Sequence, residues 1–212
     1  MTPSPLSPLL IVLSAPSGTG KTTLCENLLK ARANCSRAIT CTTRKPRPGE
    51  KDGVDYFFLQ SDEFTNRMQS GQFLEHATVY GNYYGTLKSE VLNKLQHGKD
   101  VLLNVDVQGA ATLRTAVKAE PNLSRSLVTV FLAPSSLAEL RRRLEDRNQD
   151  SPAIIEGRMN LARQEIEQWN QFDYLITSDT REEDLRRMLA IVEAEKLKQF
   201  RSAAPAGIQA NH

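Results

Sequence analysis

Two short stretches of this chain carry side chains whose type and spacing suit phosphate chemistry. The first is Ala15-Pro16-Ser17-Gly18-Thr19-Gly20-Lys21-Thr22, with Thr23 following. It is close to the pattern GxxxxGK[ST], with Ala15 in the first glycine position. In such a loop the backbone N–H groups converge on a polyphosphate at a helix N-terminus. Lys21 adds a point charge at the β- and γ-phosphates, and Thr22 offers a hydroxyl to Mg²⁺. The bland alternative is a glycine-rich turn with a surface lysine. The second stretch is Thr42-Thr43-Arg44-Lys45-Pro46-Arg47-Pro48-Gly49-Glu50. Each proline biases its predecessor to an extended or polyproline conformation. That helix has three residues per turn, so Arg44 and Arg47 fall on one side and Lys45 on another. Two guanidiniums on a stiff segment can fork onto one phosphate with little entropy loss. A solvated basic loop is the competing reading.

The surrounding pattern has to position these groups. Leu9 to Ser14 is a continuous aliphatic run, expected as a strand buried on both faces. Lys21 to Ala33 has leucines at helical spacing, so strand, loop and helix follow without a gap. Residues 38–97 then read as strand after strand, with most of the aromatics. Strands are expected over 38–43, 54–59 and 73–80, helices over 61–70 and 87–97, and a turn over Asn82 to Thr86. An alternating rhythm returns with strands at 101–105, 127–132 and 174–177. Helices are expected at 110–119, 137–147, 153–170 and 182–200. Strands alternating with helices predict an α/β fold with a parallel sheet and helices on both faces, and the phosphate loop after its first strand makes this a P-loop NTPase core. The core comprises 9–37, 98–135 and 171–200, and 38–97 forms an inserted mixed β/α lobe. Residues 1–8 are expected to be a disordered lead-in and 201–212 a flexible tail.

Composition narrows the class. The 212 residues suit a single domain, and 40% hydrophobic with 25% charged residues suits an ordinary globular protein. With 27 basic and 25 acidic residues the net charge is +2, too balanced to point to a nucleic-acid partner. The aliphatic run at Leu9–Leu13 falls far short of the roughly 20 residues a bilayer span needs. Residues 1–20 contain no Lys or Arg, so the basic start of a secretory signal is missing. Cys25, Cys35 and Cys41 form no CxxC pair, and His76, His97 and His212 are scattered, so neither a disulfide framework nor a zinc site is expected. These features favour a reduced, cytoplasmic compartment without membrane or nucleic-acid partners. Oligomeric state is not legible.

The phosphate loop, TTRxPRxGE at 42–50, GNYYG at 81–85 and DVQGA at 106–110, in this order and spacing, resemble the guanylate kinases. The likeness runs from about Leu9 to Lys198. It implies that residues 38–97 are a GMP-binding lobe and that about 136–170 form a helical lid. By the resemblance, Arg44, Arg47, Tyr56 and Tyr84 hold the GMP phosphate. Glu75 reads guanine, whose Watson–Crick edge offers two adjacent N–H donors that a carboxylate accepts together. Thr40 and Thr86 stand where the family usually has serines at that site. Asp106 matches an aspartate near the guanine, and it also ends a hydrophobic strand as a Mg²⁺-linked acid should; both roles stay open. Arg143, Arg147 and Arg158 match lid arginines that neutralise the transferring phosphoryl group. On spacing alone, a salt-bridged surface helix is an equal reading for Arg143 and Arg147.

The implied activity is transfer of the γ-phosphoryl group of MgATP to GMP, and to dGMP, with Lys21 and the lid arginines catalytic and Thr22 and Asp106 on the metal. The acceptor phosphate is already largely ionised at neutral pH, so no general base is required. Two departures stand out. Asn104 replaces an acid near the metal, and Ser178 replaces an asparagine near the donor base. The alternatives are a non-catalytic guanylate-kinase-like binding module and a related kinase acting on a ribose bisphosphate.

Overall fold

A computed structural model describes residues 7–79, 81–146 and 151–202. The elements run β1 (Leu10–Ser14), α1 (Lys21–Ala31), β2 (Cys35–Arg37), β3 (Cys41–Thr42), β4 (Phe57–Phe58), α2 (Ser61–Gln69), β5 (Phe73–Val79), β6 (Asn82–Leu87) and α3 (Lys88–Gln96). They continue with β7 (Asp100–Asn104), α4 (Val107–Lys118), α5 (Pro121–Ser126), β8 (Leu127–Ala133), α6 (Leu137–Glu145), α7 (Pro152–Ile166), β9 (Tyr174–Thr177) and α8 (Arg181–Lys196). The expected α/β class is the observed one. A five-stranded sheet has the order β2-β7-β1-β8-β9, with every pairing parallel. A separate four-stranded sheet has the order β4-β3-β6-β5.

Alternation along β1 explains why the run at 9–13 is apolar throughout. Leu9, Ile11 and Leu13 join one core cluster with α1 and α8, while Leu10 and Val12 join another with α3 and α4. A strand covered on both faces has no polar side to show. The second sheet has a much smaller core of Cys41, Phe64, Phe73 and Leu87, with Phe64 stacked on Phe73 at 4.4 Å between ring centroids. A third small cluster joins Leu140 and Leu144 of α6 to Ile155, Met159 and Ala162 of α7.

Several local expectations are corrected. Asn82 to Thr86 is not a turn: it lies in β6, paired antiparallel with β5 from Val79↔Asn82 to Glu75↔Thr86. The reversal falls at Gly81, whose φ of 76° frees Asn82 for the strand. The expected helix at 153–170 ends at Ile166, and a short 3₁₀ turn covers Trp169–Gln171. The edge strand β2 and the helix α5 had no periodicity to announce them. The expected lead-in and tail fall largely on 1–6 and 203–212, outside the described residues, although Arg201 is buried and pairs with Glu195. No helix among the described residues is long and apolar enough to cross a membrane.

At the end of the sheet away from the loops, Asp100 is fully buried. It accepts from the Leu9 backbone N–H at 3.0 Å and from Lys196 Nζ at 2.8 Å, tying β7 and α8 to the start of β1. The opposite end, where β1 and β7 stop, is left for the site.

Candidate active site

Residues 15–20 leave the C-terminal end of β1 and enter α1 directly. Ala15 is buried within the main core cluster, so its methyl group is packed against the sheet. Gly18 has φ +95°, and a Cβ built there would lie 2.9 Å from Leu144 Cδ2 and 3.1 Å from Leu140 Cδ1. Only glycine lets α6 rest this closely on the loop. The same helix reaches the loop again through Arg143, whose Nη1 donates to the Thr19 carbonyl at 3.0 Å while its Nε donates to Glu139 Oε1 at 2.8 Å. Lys21 Nζ donates to the Val105 carbonyl at 2.9 Å, beyond the end of β7. Burial draws the Lys21 pKa below the ordinary lysine value, a pull that Cys25, Asp106 and Glu165 oppose.

Two cavities flank this loop. One, of about 290 Å³, is lined by loop residues 15–18 and 20–23 and by Asp106 and Glu165. The other, of about 440 Å³, lies between the loop, α6 and the β9–α8 connection; Arg143, Ser178 and Thr180 are among its walls. Ser178 Oγ donates to Asp184 Oδ2 at 2.9 Å, and Asp184 Oδ1 accepts from the Asp179 N–H at 2.9 Å. The departure from asparagine at 178 is thereby filled by a hydroxyl already committed to a buried acid.

The second sheet brings a different set of groups together. Arg47-Pro48-Gly49-Glu50 forms a β-turn closed by Glu50 N–H to the Arg47 carbonyl at 3.0 Å, with Gly49 at φ +90°. The turn aims Glu50 back at the arginines: Oε1 accepts from Arg44 Nη2 at 2.8 Å and Oε2 from the Arg47 backbone N–H at 2.7 Å. The Arg44 guanidinium lies 5.4 Å from the Tyr56 ring centroid, and Tyr56 meets Tyr84 edge-on at 6.2 Å. Its bond to Glu50, with a smaller share from Tyr84, holds the Arg44 pKa above the ordinary arginine value. Arg47 presents an exposed side chain beside this group, and Thr40 is half-buried just before β3.

Glu75, on β5, is only 5% exposed. Its Oε1 accepts from the buried Thr86 hydroxyl at 2.6 Å across the β5–β6 ladder. Burial pushes its pKa up, and Thr86 opposes the shift. The strand that carries it packs on α4, and Leu74 enters the core beneath. Asp106 caps α4 by accepting from the Gly109 N–H at 2.7 Å through Oδ1. A Cβ built on Gly109 would lie 3.3 Å from Asp106 Oδ1 and 3.4 Å from Glu75 Oε2, so the two carboxylates crowd one glycine. Asp106 in turn faces the loop cavity. Loop, Asp106 and Glu75 therefore form a continuous line from one sheet to the other.

Of the arginines expected in a lid, Arg143 touches the loop as described and Arg158 is half-buried on α7, while Arg147 lies outside the described residues. Asn104 is exposed at the end of β7. Sequence reasoning did not single out Glu165. It lies on α7 at 8% exposure, and burial pushes its pKa up to about 7, with Lys21 pulling it down and Asp106 raising it. The signal was available: Ile155, Met159 and Ala162 define an apolar stripe that a glutamate interrupts at the next turn. The cavity also offers a fit for Mg²⁺. The Thr22 hydroxyl and two carboxylates are hard oxygen donors, and no cluster of three or more metal-binding side chains occurs among the described residues. Mg²⁺ typically takes one or two carboxylates and keeps phosphate oxygens and waters for the rest.

The family model "Guanylate kinase" matches residues 7–195. A guanylate kinase of Coxiella burnetii (strain RSA 493 / Nine Mile phase I) is 43% identical over 189 residues, covering 89% of this chain and 88% of the relative. One of Maricaulis maris (strain MCS10) is 42% identical over 193 residues, covering 91% and 86%. Among solved structures, the crystal structure of guanylate kinase from Anaplasma phagocytophilum superposes with a TM-score of 0.74 at 30% identity, covering 96% of this chain and 94% of that one.

Proposed function

The chain belongs to the guanylate kinase family and is an ATP:GMP phosphotransferase; we propose that it holds the donor triphosphate on the 15–23 loop and the acceptor on the second sheet, with Lys21 and Asp106 between them. The observation that carries this reading is the convergence of Glu75 and Asp106 on Gly109, within reach of the loop. It gives a purine-reading carboxylate and a phosphate-binding loop a common boundary.

The chemistry follows from the donors available. Loop amides and Lys21 hold the β- and γ-phosphates, and Arg143, Arg147 and Arg158 neutralise the equatorial oxygens of the group in transit. Arg44, Arg47, Tyr56 and Tyr84 hold the acceptor phosphate, and Thr40, Thr86 and Glu75 hold its base. Glu75 accepts two N–H groups from guanine, whereas adenine presents a ring nitrogen lone pair that repels it. A site built around such a pair discriminates by about 10⁴ or more. Thr22 and Asp106 would hold Mg²⁺, directly or through its waters. When bound, the ion neutralises charge on the β- and γ-phosphates. The acceptor oxygen is the nucleophile, already ionised, so alignment replaces base catalysis.

The reading divides the chain into a core of 9–37, 98–135 and 171–200, a GMP lobe of 38–97 and a lid of about 136–170. The lobe and lid close over both nucleotides, excluding water that would hydrolyse ATP. Cys25, Cys35 and Cys41 are buried and free, which suits a reduced, cytoplasmic setting within purine nucleotide metabolism. A coupled ADP-release assay across GMP, dGMP, AMP and a ribose bisphosphate tests the assignment. Turnover with GMP and dGMP is expected, with AMP lower by about 10⁴. Comparable turnover of AMP or of the sugar phosphate contradicts it.

A further inference from the structure

Glu165 is the buried ionisable group that the proposed chemistry leaves unused. It continues the inner face of α7 beyond Ile155, Met159 and Ala162 and is 8% exposed. No hydrogen-bond donor or ion-pair partner meets its carboxylate among the described residues. Lys21 acts on it only through its charge, with its hydrogen bond directed to the Val105 carbonyl. The Glu165 carboxylate faces the loop cavity rather than protein donors, so a ligand or ordered water there has to supply its hydrogen bonds.

The surroundings say which ligand. Glu165 lines the 290 Å³ cavity with Lys21, Thr22 and Asp106, where the donor triphosphate is placed. A phosphate oxygen cannot satisfy the ionised carboxylate, because both are anionic acceptors. A cation, or the water it carries, can. A second cavity of about 120 Å³ has Asp106 and Glu165 in its wall together with Gln108 and Gln164, so several waters fit beside both acids.

We propose that Glu165 is a positioning residue for the donor-side divalent cation, accepting hydrogen bonds from its water shell alongside Asp106. This rests on the reading that the 15–23 loop holds the metal-bound triphosphate. It also supplies an acid near the metal in a chain that carries Asn104 where relatives of this type were expected to carry one. Because α7 also bears Arg158 two turns earlier on the same side, the metal would share a helix with a lid arginine.

The test uses the full-length Glu165→Gln variant, with unchanged thermal unfolding as the folding control. Binding of Mn²⁺ in the presence of a non-hydrolysable ATP analogue is followed by electron paramagnetic resonance, and binding of the analogue without metal by calorimetry. The expected result is Mn²⁺ affinity weakened about 10-fold, with metal-free analogue affinity within twofold of the parent protein. Glu165→Asp, which keeps the charge, should recover part of the loss. Unchanged Mn²⁺ affinity in Glu165→Gln overturns the proposal. So does an equal loss with and without metal, which would mean that Glu165 acts through Lys21. Failure of the parent protein to bind the analogue at all removes the premise about the loop, a result separable from either.

Discussion

On the proposed assignment, the donor side and the acceptor side of this molecule are built in opposite ways. The donor loop is backbone: glycines and a lysine, set on β1 at the centre of a sheet covered by two large core clusters. The acceptor side is side chains: Arg44, Tyr56, Tyr84, Glu75 and Thr86, set on and beside a second sheet whose own core cluster has four buried residues among those described. Backbone donors rooted in a large core are rigid before ligand arrives. Side-chain donors on a small sheet can be rearranged, and Arg44 is already occupied by Glu50 before any phosphate competes for it. The difference teaches where each kind of selectivity comes from. A triphosphate is recognised by charge and geometry that any chain with this loop supplies, whereas guanine needs particular atoms at particular places.

The largest effect should come from the donor side. Lys21→Ala is expected to lower kcat by about 10³ through loss of charge stabilisation at the transferring phosphates, with the fold unchanged by circular dichroism. Near-full turnover would remove Lys21 from the machinery and with it the claim that the rigid half does the chemistry. Next, Glu75→Gln should reduce the ratio of GMP to AMP kcat/KM by about 10², because an amide offers one acceptor and leaves a buried donor unpaired. The KM for ATP should not move, and a joint change in both substrates would blur the division between the halves.

Gly18→Ala separates rigidity from chemistry. Its positive φ and the contact with Leu144 predict a loss of about 2 kcal/mol in stability, read as a lower midpoint in urea. A rise in the KM for ATP should accompany it, since α6 can no longer sit on the loop. A stable variant with parent kinetics would show that α6 does not brace the loop. The smallest effect concerns the thiols. Burial pushes Cys25 and Cys41 each up to about 12 and Cys35 to about 11, so below those values each thiol stays protonated and unreactive in the native state. At pH 8 a thiol reagent should label only through local opening. Cys41, in the small acceptor core, should react about 10-fold faster than Cys25 in the main core. Equal rates would mean that the two halves open together.

What was legible in the sequence follows the same division. Lys21 and its loop could be read because their meaning is contiguous: strand, glycines, lysine and helix lie within a single stretch. The parallel sheet was legible for the same reason, since β1 and β7 carry aliphatic runs and β8 is apolar apart from Thr129. Glu75 was not readable from its own surroundings. Its role depends on Thr86 across a hairpin and on Asp106 in another sheet, so only resemblance to a family singled it out. The hairpin itself was misread at 82–86, because Gly81, Asn82 and Gly85 look like turn residues while Tyr83 and Tyr84 are strand formers; pairing with β5 decided the matter. The strand β2 is short, with Cys35 buried and Arg37 exposed, and such an edge leaves no period to find. Glu165 was overlooked because a charged residue at the end of a helix reads as a solvated face until the loop and Asp106 are placed beside it.

The central claim is that two nucleotides face each other across Asp106, one on the loop and one read by Glu75. A crystal structure with GMP and a non-hydrolysable ATP analogue tests it most directly. The account predicts both Glu75 oxygens within about 3 Å of the guanine N–H edge, the acceptor phosphate on Arg44, Arg47, Tyr56 and Tyr84, and the triphosphate on residues 15–23. Guanine bound away from Glu75, with Arg44 still held by Glu50 and Arg47 still at the surface, would contradict it.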